Sequence, residues 1–510
     1  MEKIITWCNG TIWSNVLVAF CLLVAFYFSF GTRFVQIRHF REMLRLLFHT
    51  DKDKKNGISS FQAFALALSG RVGTGNIVGV ALAIGYGGPG AIVWMWIIAF
   101  FGAGTAYAEA CLAQIYKEKH GDQFRGGPAY YVEKGLKSPF FAVVIAVLMV
   151  ISCGLFLPPT HSNSIALSFS TTFGIAPWVV GLLVAVLIAL VVFGGVSRIS
   201  KVAEIVTPFM AIAYVMLSLV VLCVNIETVP SAFSLMIRSA FGVHQVLGGI
   251  FGTAILWGVK RGIFSNEAGQ GTAPVVAAAA EVSHPVKQGL VQGFSVYVDT
   301  LLVCTATAVM LLATNCYNVV DPVSGEYLMK SSVAGVGEPG VGYTIAALGT
   351  LLGSQWGGIV VSITLFFFAF TTVMAYYYYA ETNLIYLFTK VRQRQVRKAS
   401  REERLRVARE VVVKEQQFGD DRSEKVVVNI FRVMFIVFLI IGSISEATLI
   451  WSLGDIGVGL TVWINLIAIV LLSPNAFKAL RDYERQKKEG KAPVFHPKRL
   501  GIKNADFWKE

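Results

Sequence analysis

Long apolar runs alternate with shorter polar connections along almost the whole chain. Eleven of these runs approach the ~20 residues that a helix needs to cross a bilayer. They occupy residues 14–33, 61–84, 90–116, 139–160, 177–195, 205–225, 245–280, 288–314, 356–388, 427–447 and 449–473. The pattern predicts an all-α polytopic membrane protein of about eleven transmembrane helices. The apolar stretch at residues 341–354 is too short to span, and we expect it to lie against the bundle.

Two of the runs are interrupted by glycine at corresponding positions in the two halves of the chain. The first interruption is Ser69-Gly70-Arg71-Val72-Gly73-Thr74-Gly75-Asn76, and the second extends from Trp257-Gly258 to Glu267-Ala268-Gly269. Unwound backbone survives in hydrocarbon only where it lines a site or a cavity. A matched pair of broken helices is typical of the binding site of an inverted-repeat transporter. The alternative is that these glycines only allow close helix packing.

Lysine and arginine are concentrated in alternate connections. Residues 33–55, 117–137 and 390–425 and the tail from residue 478 are strongly basic, whereas the intervening connections carry almost no positive charge. Because basic loops stay in the cytoplasm, we expect the N-terminus outside, the C-terminus inside and an odd number of spans. Opposite charges at i,i+4 spacing in residues 391–425 predict a solvated cytoplasmic helix there.

The composition supports a membrane protein and excludes several other functions. Of the 510 residues, 55% are hydrophobic and only 15% are charged, whereas soluble proteins carry about 25% charged residues. The net charge of +13 is concentrated on one side of the membrane, where it meets anionic lipid, and no nucleic-acid reader pattern accompanies it. Neither a GxxxxGK(S/T) loop nor an HExxH motif occurs, so we expect neither ATP use nor enzyme activity.

The spans divide into two groups if the first span is an addition. The remaining ten then form five plus five, and since five is odd, the second group enters the membrane from the opposite side. The two groups therefore have inverted topology, with a broken helix first in each. The predicted divisions are an extra helix with a basic connection at 1–60, a first repeat at 61–230, a second repeat at 244–473 with a charged insertion at 391–425, and a basic cytoplasmic tail at 474–510.

Five sequence blocks are distinctive. They are Gly73-Thr74-Gly75-Asn76, Gly87-Gly88-Pro89-Gly90-Ala91-Ile92-Val93-Trp94-Met95-Trp96-Ile97-Ile98-Ala99-Phe100-Phe101-Gly102, Gly262-Ile263-Phe264-Ser265-Asn266-Glu267-Ala268-Gly269, His284-Pro285-Val286-Lys287-Gln288-Gly289-Leu290-Val291-Gln292, and Phe370-Thr371-Thr372 with the four tyrosines at 376–379 and Glu381. Together they resemble the bacterial alanine or glycine:cation symporter family (sodium:alanine symporters). The resemblance implies a leucine-transporter-like fold of a 5+5 inverted repeat plus one additional helix. It also implies coupling of small neutral amino acids to Na⁺ or H⁺.

A zwitterionic amino acid brings two charges into a low-dielectric site, and both must be paired. The backbone amides of Gly73, Thr74 and Gly75 are the predicted cradle for its carboxylate, because an interrupted helix offers free donors and a positive dipole end. Glycine also lets the backbone approach a ligand without an intervening Cβ. The other candidate substrate contacts are Asn76, Asn163, Trp257 and Phe264, although the two aromatic residues could equally be ordinary core or lipid-facing side chains.

A hard cation such as Na⁺ prefers oxygen ligands. The carbonyls of Ser69 and Val72 and the hydroxyls of Thr371 and Thr372 are predicted to supply four of them, as the similar helix pair of the leucine transporter implies. The alternative for the two hydroxyls is back-bonding to their own helix.

Four charged residues lie near the breaks or at membrane depth. Arg71 is expected to hold the first broken helix through a salt bridge, and Asp299 to brace the bundle, with proton carriage as its alternative role. Lys260 and Arg261 adjoin the second break and are expected to face cytoplasmic water.

One block departs from the family pattern. The chain has Leu157-Pro158-Pro159-Thr160-His161-Ser162-Asn163-Ser164, where the family usually carries something like Gly-Asn-Met-Val-Gln-Ala-Asn-Ser. The Asn-Ser pair is retained, but two prolines remove backbone donors and are expected to kink the helix. The departure reshapes the pocket wall and leaves the choice of amino acid open.

The sequence thus predicts a secondary active transporter of a bacterial inner membrane, which carries alanine or glycine into the cell by Na⁺-coupled symport and alternating access. H⁺ is the other possible coupling ion. The expected partners are a small neutral amino acid and membrane lipid, not nucleic acid or ATP, and the sequence carries no signal of oligomeric state. Two alternatives stay open: a proton-coupled symporter of another small amino acid, and a transporter-like sensor without coupled flux.

Overall fold

The computed structural model describes residues 2–48, 57–121, 123–242, 251–322, 324–334, 336–398 and 422–508. Helices dominate this part of the chain. In order they are α1 (Glu2–Ile12), α2 (Asn15–Gly31), α3 (Val35–Arg38), α4 (Phe40–Phe48), α5 (Ser60–Arg71), α6 (Val80–Gly87), α7 (Ala91–Ile115), α8 (Pro128–Gly135), α9 (Pro139–Ile151), α10 (Leu157–Phe173), α11 (Pro177–Val192), α12 (Gly195–Val224), α13 (Val229–Ala240), α14 (Phe251–Asn266), α15 (Ala273–Ala279), α16 (Pro285–Val296), α17 (Thr305–Ala313), α18 (Val341–Leu352), α19 (Ser354–Lys398), α20 (Arg422–Ile444) and α21 (Ala447–Lys488).

Short elements complete the connections. Strand β1 (Glu118–His120) pairs antiparallel with β2 (Gln123–Arg125), and β3 (Val319–Val320) pairs antiparallel with β4 (Tyr327–Met329). Two 3₁₀ turns, Pro497–Leu500 and Asp506–Trp508, shape the tail.

The apolar helices correspond to the predicted spans. Among the described residues, eight helices are long and apolar enough to cross a membrane, and a ninth span arises if α5 and the segment Gly75–Gly87, bent by 49°, are counted together. The remaining two predicted spans correspond to α11, which has 16 residues, and to the broken pair α14 and α15. The start of the seventh predicted span and residues 399–421 of the predicted insertion lie outside the described residues. The short helix α18 packs against α19, at the stretch expected to lie against the bundle.

Three π turns occur in the described part of the chain, and two of them contain residues that the sequence analysis singled out, Gly75 and Asp299. The turns are Gly75–Gly79 before α6, Ser152–Phe156 between α9 and α10, and Tyr297–Cys304 between α16 and α17. Such turns are frequent at functional sites. The second turn immediately precedes Pro158 and Pro159 in the first turn of α10. Residues Pro139–Phe173, which include α9 and α10, form one continuous apolar span despite the prolines.

The broken helices lie at the centre of the bundle. The long helix α7 packs against α2, α14 and α16, while α10 packs against α19 and α20. The first break begins after α5, which starts with a capping box: the Gln62 amide donates to Ser59 Oγ and the Ser59 amide donates to Gln62 Oε1, both at 2.9 Å. This arrangement brings α5, α10, α14, α16 and α19 around one buried volume.

Candidate functional site

The first break exposes backbone donors in the middle of the bundle. Helix α5 ends where Val72 adopts an extended conformation, with φ −76° and ψ 92°. The Gly73 amide donates to Asn76 Oδ1 at 2.8 Å, so the Asn76 side chain satisfies the first donor of the next helix, as a cap does. The amides of Thr74 and Gly75 follow in the first turn, where a helix provides no acceptor of its own. These two donors form the candidate carboxylate cradle.

The two glycines of this break make close approaches possible. A Cβ atom at Gly75 would lie 3.1 Å from Ser265 Cα and 3.4 Å from Phe264 Cδ1. A Cβ at Gly73 would collide with Thr372 Oγ1 and lie 3.3 Å from His161 Cε1. The backbone at Gly75 therefore packs directly against the second broken helix. The backbone at Gly73 lies between α10 and α19.

Three of the four predicted ion ligands come together. Thr372 Oγ1 lies 2.8 Å from the Ser69 carbonyl oxygen and 3.4 Å from that of Val72, and all three residues are buried. The hydroxyl of Thr371 lies elsewhere: it donates to carbonyls of its own helix at 3.0 and 3.1 Å and faces Met210 of α12. Both hydroxyls back-bond to their own helix, Thr372 at 2.9 Å from the Phe368 carbonyl, but the structure brings only Thr372 to the break as well.

The second break is held open by a buried carboxylate. Helix α14 ends at Asn266, and Glu267 then adopts a left-handed conformation with φ 57°. Glu109 of α7 accepts from the Gly269 amide at 3.2 Å and from Asn465 Nδ2 at 3.0 Å. The same Asn465 amide group donates to the Gly269 carbonyl at 2.9 Å. Side chains from α7 and α21 thus satisfy the backbone groups that the break exposes.

Hydrogen bonds tie the two breaks to each other. Arg71 Nε donates to the Asn266 carbonyl at 2.6 Å, so the end of α5 is joined to the end of α14. Asp299 accepts from Asn76 at 2.7 Å, from Ser265 at 2.9 Å and from Thr300 at 2.7 Å. Its carboxylate therefore bridges both broken helices, which agrees with the bracing role expected for it.

The expected salt bridge of Arg71 does not form. Among the described residues, its hydrogen bonds go to neutral groups: the Asn266 and Gln292 carbonyls, Gln292 Oε1 and Ser295 Oγ. Carbonyl oxygens at the end of α14 and in α16 supply part of its acceptors, and its remaining nitrogen, Nη2, has no hydrogen-bond partner among the described residues.

A cavity of about 390 Å³ adjoins the site on one side of the bundle. Asn163 and Trp257, two of the predicted contacts, line it. Phe264 lies behind the wall, stacked on Trp451 with ring centroids 5.1 Å apart. Asn163 Nδ2 donates to the Gly442 and Ser445 carbonyls at 2.9 and 2.8 Å, so its amide group ties α10 to the end of α20.

Lys260 and Arg261 occupy this cavity wall, and the expectation that they face cytoplasmic water was wrong. Lys260 Nζ lies 2.6 Å from Asp455 Oδ2, and Arg261 pairs with the other oxygen of the same carboxylate. Pro339 lines the cavity beside them and lies in the connection after α17, on the side without basic loops. Sequence reasoning missed Asp455, although a carboxylate inside the run at 449–473 is itself a signal of a functional or paired group.

The opposite end of the bundle is closed by backbone and tail contacts. Ile58, before α5, forms a parallel bridge with Ala280, after α15, so the outer ends of both broken helices meet there. Lys117 Nζ donates to the Ala280 carbonyl at 2.9 Å and lies 4.4 to 5.3 Å from the rings of Phe124, Phe507 and Trp508. Trp508 donates to the Gln114 carbonyl at 3.0 Å.

A model of the sodium:alanine symporter family matches residues 1–401 and 415–497. The chain belongs to this family. It is similar to the putative sodium/proton-dependent alanine carrier protein YrbD of Bacillus subtilis (strain 168), with 49% identity over 98% of this chain and 96% of that protein. It is also similar to the sodium/proton-dependent alanine carrier of Bacillus sp. (strain PS3), with 45% identity over 92% of this chain and 97% of that protein. The probable sodium/glutamine symporter GlnT of B. subtilis is 39% identical over 97% of this chain and 93% of its own length.

Two solved structures share the fold at low identity. MhsT, in complex with L-phenylalanine, aligns with a TM-score of 0.55 and 13% identity over 89% of this chain and 97% of that one. A Na⁺-coupled sialic acid symporter aligns with a TM-score of 0.50 and 12% identity over 98% of this chain and 96% of that one. The leucine-transporter-like fold is therefore confirmed, and the symporter is a multi-pass membrane transporter, not an enzyme.

Proposed function

We propose that this symporter carries a small neutral amino acid, with alanine as the main substrate, into the cell together with Na⁺. The observation that carries the proposal is the grouping of the Ser69 and Val72 carbonyls with Thr372 Oγ1, directly before the free amides of Thr74 and Gly75. A cation bound by the three oxygens would lie beside the carboxylate held by the two amides. The names of the two alanine carriers that resemble this chain support the choice of substrate.

The remaining predicted contacts support the cradle from different sides. Asn76 holds the break in shape through its bond to the Gly73 amide. Asn163 and Trp257 border the cavity through which the amino acid enters, and Phe264 with Trp451 closes the inner end of that path. Thr371 is left out of the ion site in this proposal, since its hydroxyl faces Met210 of α12 rather than the break.

We also infer the orientation of the described state. With the basic connections in the cytoplasm of a bacterial cell, the cavity beside Asp455 opens to the outside. The bridge between Ile58 and Ala280 then closes the cytoplasmic end. This is an outward-facing arrangement, and transport requires the bridge to separate after substrate and ion have bound.

The test is uptake of labelled alanine into proteoliposomes. We expect an inward Na⁺ gradient to drive accumulation, and unlabelled glycine and serine to compete while leucine does not. Uptake driven by a pH gradient alone, with no response to Na⁺, would make the protein a proton symporter. Competition by glutamine with none by alanine or glycine would replace the proposed substrate.

A further inference from the structure

His161 lies at the first break, and its hydrogen bonding indicates which of its two ring nitrogens carries the proton. Its Nδ1 atom is 3.0 Å from the hydroxyl of Thr74, and Thr74 is fully buried. No other partner of that hydroxyl occurs in the described part of the chain. We assign the hydroxyl as the donor to Nδ1, because this nitrogen is the one acceptor within its reach among the described residues. In a neutral imidazole the remaining proton then resides on Nε2, which makes Nε2 a hydrogen-bond donor.

That donor has no acceptor. His161 is 1% exposed, and Nε2 is without a hydrogen-bond partner among the described residues. The ring is held in place by an edge contact with Tyr376, with centroids 5.3 Å apart. The neighbouring ring atom, Cε1, lies 3.3 Å from the position of a Cβ at Gly73. The ring that carries the unpaired N–H therefore lies beside the first break, at Gly73.

A buried donor without an acceptor is costly, and buried polar groups in native proteins are almost always paired. An acceptor that arrives from outside the chain would pair with it. We propose that His161 Nε2–H donates to the α-carboxylate of the transported amino acid and completes the cradle formed by the two amides. Thr74 is then a positioning residue, because its hydroxyl fixes the tautomer that carries the proton on Nε2.

This inference rests on the proposed function and assigns a substrate-contacting residue within it. Its test is binding of labelled L-alanine to the detergent-purified full-length protein at saturating Na⁺. His161→Phe retains a flat ring and removes the donor, and His161→Gln retains a donor. Thr74→Ser keeps the hydroxyl and Thr74→Val removes it. Melting of each variant in detergent separates a loss of fold from a loss of contact.

We expect His161→Phe to weaken alanine binding about 10-fold or more, the effect of losing one hydrogen bond to a charged group. His161→Gln and Thr74→Ser should bind close to the wild type, and Thr74→Val should bind more weakly than Thr74→Ser. The penalty of His161→Phe should shrink when alaninamide replaces alanine, since the neutral amide is a weaker acceptor than a carboxylate. A purely structural histidine would give the same penalty with both ligands.

The outcomes separate the two proposals. Wild-type protein that binds no amino acid overturns the proposed function and this assignment together. Wild-type protein that binds alanine, with a folded His161→Phe variant of equal affinity, overturns the assignment alone. If His161→Phe does not fold, equal affinities of Thr74→Val and Thr74→Ser overturn it in the same way.

Discussion

Replacing Thr372 with valine preserves the shape of the side chain and removes one of the three oxygens grouped at the first break. Thr372 Oγ1 is 2.8 Å from the Ser69 carbonyl and 3.4 Å from the Val72 carbonyl. A contact between a charged group and one polar ligand is worth roughly 1.5–3 kcal/mol, and each ~1.4 kcal/mol is a factor of ten in affinity. We therefore expect the Na⁺ concentration for half-maximal alanine uptake to rise about tenfold or more.

The assay is initial-rate uptake into proteoliposomes over a Na⁺ titration, with Thr371→Val as the matched control. Thr371 precedes Thr372 in the same helix and is equally buried. Both hydroxyls back-bond to that helix, but the Thr371 hydroxyl faces Met210 of α12 and not the break. Its replacement should leave Na⁺ activation unchanged, and Thr372→Ser should restore most of what valine removes. The reasoning fails if both valine variants shift the titration equally, or if Thr372→Val leaves a Na⁺-driven uptake unchanged.

Three further replacements test other parts of the structure. Gly75→Ala places a Cβ 3.1 Å from Ser265 Cα, and such overpacking costs about 1–3 kcal/mol. Alanine uptake by this variant should therefore fall, and uptake equal to that of the wild type would contradict the close contact of the broken helices. Asn163→Ala leaves two carbonyls, one in α20 and one just after it, without their donor, which costs about 1–3 kcal/mol. We expect a lower melting temperature in detergent, and an unchanged one would show that Asn163 does not hold α10 to α20. Trp508→Ala removes a ring beside Lys117; cysteines placed at the cytoplasmic end should label faster, and unchanged labelling would show that the tail does not hold this end closed.

The parts of the fold that sequence could predict are those encoded by neighbouring residues. The interruptions predicted at 69–76 and 257–269 rest on glycines inside apolar runs. The first break occurs within the predicted stretch, whereas the second begins only after Asn266, because residues 257–266 continue helix α14. The grouping of Ser69, Val72 and Thr372 was also within reach, because the family resemblance aligns the two helices concerned.

Sequence could not predict which way each side chain faces. Thr371 and Thr372 are adjacent and chemically identical, so only the rotation of α19 decides which hydroxyl meets the break. The pairing of Lys260 and Arg261 with Asp455 joins residues almost two hundred positions apart, a contact that local patterns do not encode. The prolines at 158 and 159 were expected to kink their helix, and the structure places a π turn directly before them, which local patterns do not encode.

The contacts between the breaks explain how one bound ion can affect the whole transport path. Asn76 joins the Gly73 amide to Asp299, and Asp299 joins Ser265 of the second broken helix. A ligand that orders the first break therefore also restrains the second, without touching it. The far ends of both broken helices meet at the bridge between Ile58 and Ala280, which in the proposed orientation is the contact that must separate for release into the cytoplasm. Binding energy gained at the centre can bias that separation only if it differs between the closed and open states. The chain of hydrogen bonds through Asp299 is a physical connection by which this difference can arise.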